Sequence, residues 1–263
     1  MAFGPAAVPP LLHALNTVGR GLQGYVIEVL GHTGDERALS PLLAILDQDE
    51  EYTSGMACAV LSYLGAATVP PLIERIKTHP NLSVRHNAMR AISHIDDPRV
   101  EAIALEELHT PELQALALNI LGNSHGVADM QQRIDLIAAY LDNPNEWTRT
   151  SAILALGRLG DDRAVDLLLA QLDVPDIVIP ANTISALTRI ASPRVVEALM
   201  KLLDTPLVDL AVEALGQIGD KRAVAPIAAL HETTTDKRLR LITQDALIRL
   251  EFFPPYYDPT DDF

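Results

Sequence analysis

Apolar residues recur along the chain at i, i+3, i+4 and i+7, as in Leu39, Leu42, Leu43 and Leu46, and again in Val165, Leu168, Leu169 and Leu172. That spacing places them on one face of a helix, here named helix A. A short polar link follows, such as Asp47-Gln48-Asp49-Glu50 or Asp142-Asn143-Pro144-Asn145. Next comes a second stretch with alanine at i and i+3, as at Ala88 and Ala91 or Ala152 and Ala155. This is helix B, and its small residues predict close packing against a neighbour.

The A–B pattern repeats. Gly34-Asp35-Glu36-Arg37-Ala38-Leu39 returns as Gly160-Asp161-Asp162-Arg163-Ala164-Val165 and as Gly219-Asp220-Lys221-Arg222-Ala223-Val224, with weaker copies at Asp97-Pro98-Arg99-Val100 and Ser192-Pro193-Arg194-Val195. The aligned arginines at 37, 99, 163, 194 and 222 are separated by 62, 64, 31 and 28 residues, so one further copy falls inside each of the two longer gaps. The first lies at Gly65–Ile73, where Val69-Pro70-Pro71-Leu72 matches Val8-Pro9-Pro10-Leu11, and the second at Val127–Ile134. Asp35, Asp97, Asp161, Asp220 and Ser192 suit helix N-caps, and Pro98 and Pro193 suit the first helical position. Leu-Gly pairs at Gly31, Gly65, Gly122, Gly157 and Gly216 are expected to close helix B, through close packing or an exit from the helix.

A helix pair of about 31 residues cannot bury its apolar face alone, so successive pairs must stack. The expected fold is all-α, a right-handed α-α superhelix of about eight two-helix repeats over residues 1–251, followed by a Pro/aromatic/acidic tail at 252–263. The Leu-Gly-x-x-Gly-Asp-x-Arg-Ala-Val signature, with Ala-x-x-Ala before it, resembles the HEAT-like repeats of the phycobilisome-lyase type. The resemblance covers about residues 4–251. It implies the solenoid fold and says little about function, because such repeats serve enzymes, chaperone-like scaffolds and adaptors alike. Phe3-Gly4 matches Leu64-Gly65, so an open apolar edge is expected at the first repeat, available to self-association or a partner.

Composition narrows the function classes. The 263-residue chain carries 20 basic and 35 acidic side chains, a formal charge of -15, and such a field repels phosphate backbones. Nucleic acid is therefore the least favoured partner. A protein with a basic or apolar surface is the expected one. The single cysteine, Cys58, excludes an internal disulfide and a thiolate metal cluster and suits a reducing compartment, so a cytoplasmic location is expected. Within its small-residue helix, Cys58 is expected to be an inert packing thiol. No apolar run is expected to reach the roughly 18–20 residues of a membrane span, so no membrane partner is expected. No catalytic residue, metal site or cofactor is expected. His231-Glu232 does not extend to a zincin motif, and Asp47-x-Asp49-x-Glu51 has Tyr52 where a calcium loop needs Gly.

Candidate binding residues come from aligning helix B along the array. One column reads Gln23, Ser54, Arg85, Gln114, Arg149, Pro180, Val208 and Arg240, and a second, five residues on, reads Glu28, Ala59, Arg90, Asn119, Leu154, Ser185, Glu213 and Asp245. Arg85, His86, Arg90, Asn119, Arg149, Glu213 and Arg240 are the candidates on the concave helix layer. The resemblance to HEAT-like repeats, which often carry arginine in the first column, implies packing or inter-repeat salt-bridge roles for Arg85, Arg149 and Arg240, and Arg90 stands apart. Residues 74–99 form a net-positive segment, with Arg75, Lys77, Arg85, Arg90 and Arg99 beside His79, His86 and His94, that would gain charge on mild acidification if it bound anions. Charge runs are more often solvated faces with local pairs. In the tail, Tyr256, Tyr257 and Phe263 are candidate contacts, while Phe252 and Phe253 are expected to cap the last repeat. A protein-interaction scaffold is the first functional expectation. The repeat resemblance implies a bilin lyase or assembly factor as the alternative, in which Arg85, His86 and Arg90 would meet propionates. A nucleic-acid-binding solenoid is third.

Overall fold

A computed structural model describes residues 4–48, 50–124, 129–173 and 177–252. Among them lie eight helix pairs and no strand: α1 (Val8–Thr17), α2 (Arg20–His32), α3 (Leu39–Leu46), α4 (Glu51–Leu61), α5 (Val69–Thr78), α6 (Leu82–Ile92), α7 (Pro98–Glu107), α8 (Gln114–Asn123), α9 (Met130–Ala138), α10 (Glu146–Leu159), α11 (Val165–Leu169), α12 (Val178–Ile190), α13 (Pro193–Lys201), α14 (Val208–Ile218), α15 (Val224–Thr233) and α16 (Lys237–Phe252). The all-α stacked-repeat architecture is thus the observed one. Odd-numbered helices are A helices and even-numbered ones are B helices. The chain forms two compact units, Met1–Gly126 and Val127–Phe263.

In unit 1 each A helix packs on its own B helix, and the B helices form a continuous layer, α2 on α4, α4 on α6 and α6 on α8. The core between the layers is aliphatic: Ile27, Leu30, Leu42, Leu46, Leu61, Leu72 and Ile76 are fully buried. Each such side chain contributes about 1.5–3 kcal/mol by leaving water. Unit 2 repeats the plan, α10 on α12, α12 on α14 and α14 on α16, around buried Ile153, Leu156, Leu168, Leu187, Val212 and Leu215.

Two kinds of glycine share the work that the Leu-Gly pairs were expected to do. Gly31, Gly157 and Gly216 sit where neighbouring B helices approach. A Cβ at Gly157 would stand 2.6 Å from Ala186 Cα, one at Gly216 2.9 Å from Ala246 Cα, and one at Gly31 2.3 Å from Val60 Cβ. The exits from helix B fall three residues later, at Gly34, Gly160 and Gly219, all with positive φ. Gly65 belongs to the turn class, with φ +69°, so Leu64-Gly65 is not a counterpart of Leu30-Gly31. In the turn after α12, Ala191 takes the left-handed conformation, φ +53°, in place of glycine.

The same turn at Gly65 corrects the reading of apolar runs. Residues 52–73 contain no charged side chain over 22 positions, and the helical stretch Tyr52–Thr78 is long and apolar enough to cross a membrane. The backbone breaks it at Gly65 into α4 and α5, which bury Ala57, Val60, Leu61, Val69 and Leu72 against the unit 1 core.

The Asp-x-Arg phrase of the repeat is a clamp at the B-to-A turn. Asp35, Asp97, Asp161 and Asp220 each accept the backbone N–H two residues on and grip the same residue's guanidinium. In the first, Asp35 Oδ1 accepts from Arg37 N and Nε, both at 2.9 Å, while Oδ2 accepts from Nη2 at 2.7 Å. The arrangement returns at Arg99, Arg163 and Arg222. Hydrogen bonding by Arg37 and Arg99 holds the carboxyls of Asp35 and Asp97 down at about 2. Arg163 and Arg222 lower those of Asp161 and Asp220 in the same way. Ser192 does not cap its helix. Its hydroxyl donates instead to Asp162 Oδ1 of the preceding repeat at 2.5 Å, a charged acceptor that outcompetes the local amide, and Arg194 reaches Asp166 Oδ1 at 2.6 Å.

Candidate interaction surface

The first column of helix B is a set of latches. Gln23 Nε2 donates to Leu15 O at 3.3 Å, Arg85 Nε to Ile76 O at 2.6 Å, Gln114 Nε2 to Leu108 O at 2.9 Å, Arg149 Nη1 to Asn143 O at 2.9 Å and Arg240 Nη2 to Thr234 O at 3.1 Å. Each satisfies a carbonyl that the end of helix A or the following link would leave without a partner. Arg85 also reaches across to Glu107 Oε2 on α7 at 3.3 Å, and Glu107 is buried. Three candidate binding residues, Arg85, Arg149 and Arg240, are therefore engaged in holding A to B. Ser54, Pro180 and Val208 occupy the same column without a latch of this kind.

The basic segment 74–99 dissolves into pairs. Arg75 grips Asp47 through Nε and Nη2 at 2.7 and 2.8 Å, Lys77 meets Glu106 at 2.6 Å, and Arg99 is held by Asp97. With Arg85 on Glu107, Arg90 is the one arginine of the segment that faces solvent with no carboxylate in ion-pair range among the described residues. His86, half-buried beside it, is pushed toward lower pKa by burial and then by the Arg90 charge. Mild acidification is thus opposed at His86, contrary to the expectation from the sequence. Cys58 lies buried near Arg90, and burial raises its thiol pKa, which suits a packing role.

The remaining candidates divide. Asn119 is half-buried on α8 and Glu213 is exposed on α14. Tyr256, Tyr257 and Phe263 lie outside the described residues, as do Phe3 and Phe253. Asp47 is taken up by Arg75, and His231 Nδ1 contacts Thr243 Oγ1 at 2.8 Å. Among the described residues no three His, Cys, Asp or Glu side chains converge as a metal site.

What the column alignment missed is aromatic. On the B layer of unit 1, Leu22, Tyr25, Tyr52 and Tyr63 are 60, 67, 61 and 59% exposed. They form neighbouring rows. A Cβ at Gly24 would stand 2.8 Å from Tyr52 Oη and 2.7 Å from Met56 Sδ, so the ring and thioether rest against the bare backbone of α2, next to Tyr25. His32, from the last turn of α2, stacks on Tyr63, just past α4, with ring centroids 5.2 Å apart and planes 14° from parallel. The next row, α6, carries His86 and Arg90, with His94 just past its end, and Asn87 Nδ2 ties it to Ser54 Oγ of α4 at 3.4 Å. A signal for this face existed in the sequence: Tyr52, Met56, Ala59 and Tyr63 follow a helical stripe. In unit 2 the exposed large apolar residues are Trp147, Ile177, Val178, Leu241 and Ile248, spread over α10, α12 with its preceding turn, and α16.

Comparison with known proteins agrees with the repeat reading. A family model for HEAT repeats matches residues 102–179 and 168–248, and one for the PBS lyase HEAT-like repeat matches residues 22–48. Among solved structures the chain is similar to Kap121p, at 15% identity and a TM-score of 0.65, over 93% of this chain and 34% of that one. It is also similar to YibA of Escherichia coli, at 16% identity and a TM-score of 0.57, over 93% of this chain and 92% of that one. At these identities the likeness is one of fold. No curated protein matches the chain in sequence.

Proposed function

The chain belongs to the HEAT-repeat family, and from that premise we propose that it is a protein-interaction scaffold whose docking surface is the B-helix face of unit 1. The observation that carries this reading is the exposed set Tyr25, Tyr52 and Tyr63 on and just past α2 and α4, with exposed Arg90 on the next B helix, α6. Large exposed tyrosines give contact area at small entropic cost, and tyrosine and arginine are the residue types that dominate binding hot spots. Tyr52 and Tyr63 rest on the neighbouring B helix at Gly24 and His32, whereas Arg85 of the latch column is taken up in holding A to B. The -15 charge favours basic partners over the surface as a whole, while on this face the aromatic row and Arg90 supply the short-range affinity. A cytoplasmic setting fits the lone buried thiol. The PBS lyase HEAT-like match at residues 22–48 names a repeat type and lends no bilin chemistry to the face.

The test is retention of source proteins on the immobilised full chain and on the variant Tyr25→Ser/Tyr52→Ser/Arg90→Glu, read by quantitative mass spectrometry at two salt concentrations. The expected result is a defined partner held by the wild type and lost by the variant, with both proteins equally helical by circular dichroism. Equal retention by both would remove unit 1 as the docking surface.

A further inference from the structure

We propose that the aromatic face of unit 1 binds the segment 253–263 of a second copy of this chain, an inference that rests on the scaffold reading and names its ligand class as an extended proline-aromatic-acidic peptide. The chemistry of the two parts corresponds. The segment Phe253-Pro254-Pro255-Tyr256-Tyr257-Asp258-Pro259-Thr260-Asp261-Asp262-Phe263 places its proline pair and three of its four aromatics first and two of its three aspartates near the end, with no basic residue. Exposed tyrosines are the usual receptors for proline rings held in an extended conformation, because a pre-ordered proline segment loses little entropy on docking. Tyr25 and Tyr52 supply those rings on α2 and α4.

Charge fixes the direction. Glu28 is exposed on α2 and repels an acidic end there, while Arg90 on α6 stands without a carboxylate. The proline-aromatic half therefore lies over α2 and α4, away from Glu28, and the aspartates reach Arg90 on α6. The length suffices: eleven residues at about 3.1 Å each span about 34 Å in an extended proline-type helix, against about 16–20 Å between the axes of α2 and α6 at normal helix spacing. The acidity of the whole chain adds a selection. For a -15 protein, most of the surface repels another copy's aspartates, and Arg90 marks the place on this face that attracts them. Such an end-to-face contact is heterologous and joins copies head to tail, so it grows with concentration.

The experiment uses the full chain and a fluorescent peptide of residues 252–263. Light scattering over a range of protein concentration is expected to show the mass rising above that of one chain, and excess unlabelled peptide is expected to reverse the rise. By anisotropy the labelled peptide should bind the full chain. The affinity should fall about tenfold or more in Tyr25→Ser/Tyr52→Ser and in Arg90→Glu, and stay unchanged in Trp147→Ser of unit 2. A peptide with its three aspartates replaced by asparagine should bind more weakly and with less salt dependence. A constant single-chain mass at every concentration would overturn the proposal, as would peptide affinity indifferent to the tyrosine pair. If the peptide does not bind while a source protein is still held through Tyr25 and Tyr52, this inference falls and the scaffold reading stands. If neither is held, both fall.

Discussion

Units 1 and 2 are assembled by the same rules and present different surfaces. Both stack B helices through small residues, both latch A to B with a long polar side chain, and both clamp their turns with Asp-x-Arg. Their ion pairs between repeats differ in place. Among the described residues, unit 2 pairs neighbouring repeats chiefly through the guanidiniums at its turns, Arg194 to Asp162 and Asp166 and Arg222 to Glu197, with Arg238 to Asp209 between helices, while in unit 1 the pairs come from helices, Arg75 to Asp47, Lys77 to Glu106 and Arg85 to Glu107. Seven of the eight histidines lie in unit 1, as do the three exposed tyrosines among the described residues. The difference teaches that what the repeats share is packing, so the positions that depart from the repeat are where recognition is to be sought.

The largest effect expected on stability tests whether the latch column is uniform. Arg85→Ala removes both the donor to Ile76 O and the partner of buried Glu107, leaving a carboxylate without compensation. Loss of one partner of a buried pair costs about 3–5 kcal/mol, and the partial exposure of Arg85 reduces this to about 2–3 kcal/mol. Arg149→Ala in unit 2 removes hydrogen bonds to loop carbonyls alone and should cost about 1 kcal/mol. Urea unfolding of the two variants measures the contrast, and Arg85→Ala/Glu107→Gln should recover part of the loss. Equal costs would mean that the Glu107 contact contributes nothing.

Next in size are the glycine contacts. Gly157→Ala sets a Cβ 2.6 Å from Ala186 Cα, backbone that cannot yield without parting α10 from α12, so a net loss of about 1–3 kcal/mol is expected despite the better helix propensity of alanine. Gly24→Ala on the unit 1 face meets the Met56 thioether and the Tyr52 ring tip, which can swing away, and it should be within about 1 kcal/mol of neutral. Thermal unfolding separates the two cases.

These contrasts show how far the sequence could be read. The repeat length and the A and B helices follow from periodicity, because burial imposes that pattern on every copy, while the structural use of the first arginine column comes from the resemblance to HEAT-like repeats. The clamps were half legible: the aligned arginines mark them, but the sequence does not say that the aspartate two residues earlier grips the same side chain. Ser192 was misread because its acceptor, Asp162, is 30 residues away. Gly65 was misaligned because a turn glycine and a packing glycine are the same letter. The basic segment 74–99 misled for a similar reason, since Asp47, Glu106 and Glu107, which neutralise it, lie outside it in sequence and become neighbours only when repeats stack. The aromatic face occupies three different columns, so no alignment of repeats could collect it.

The turns sharpen the comparison through pH. Asp35 and Asp97 in unit 1 titrate near about 2 when folded, while an unfolded aspartate titrates near about 3.9. A carboxyl depressed by folding stabilises the folded state fully above the unfolded value, and the benefit drains away as pH falls through the folded one. Stability should therefore hold down to about pH 4 and decline from there toward about pH 2. Asp97→Asn should flatten part of that decline, measured by the denaturant midpoint at successive pH values. Ser192→Ala, at a turn without the clamp, should leave the slope unchanged.

The smallest effect on stability carries the most functional weight. Tyr25 and Tyr52 are largely in water, so Tyr25→Ser and Tyr52→Ser should each move the unfolding free energy by no more than about 0.5 kcal/mol, as exposed substitutions do. Trp147→Ser in unit 2, where the ring is 80% exposed, should be as mild. If exposure alone made a surface adhesive, all three would weaken partner binding alike. Among the described residues, the unit 1 pair stands beside a ring seated on Gly24, a stacked His32–Tyr63 row and the α6 row with Arg90, which has no carboxylate in ion-pair range. Binding should accordingly fall with the tyrosines and be indifferent to the tryptophan. A reversed order would move the recognition surface to unit 2 and leave the unit 1 aromatics as ordinary exposed side chains.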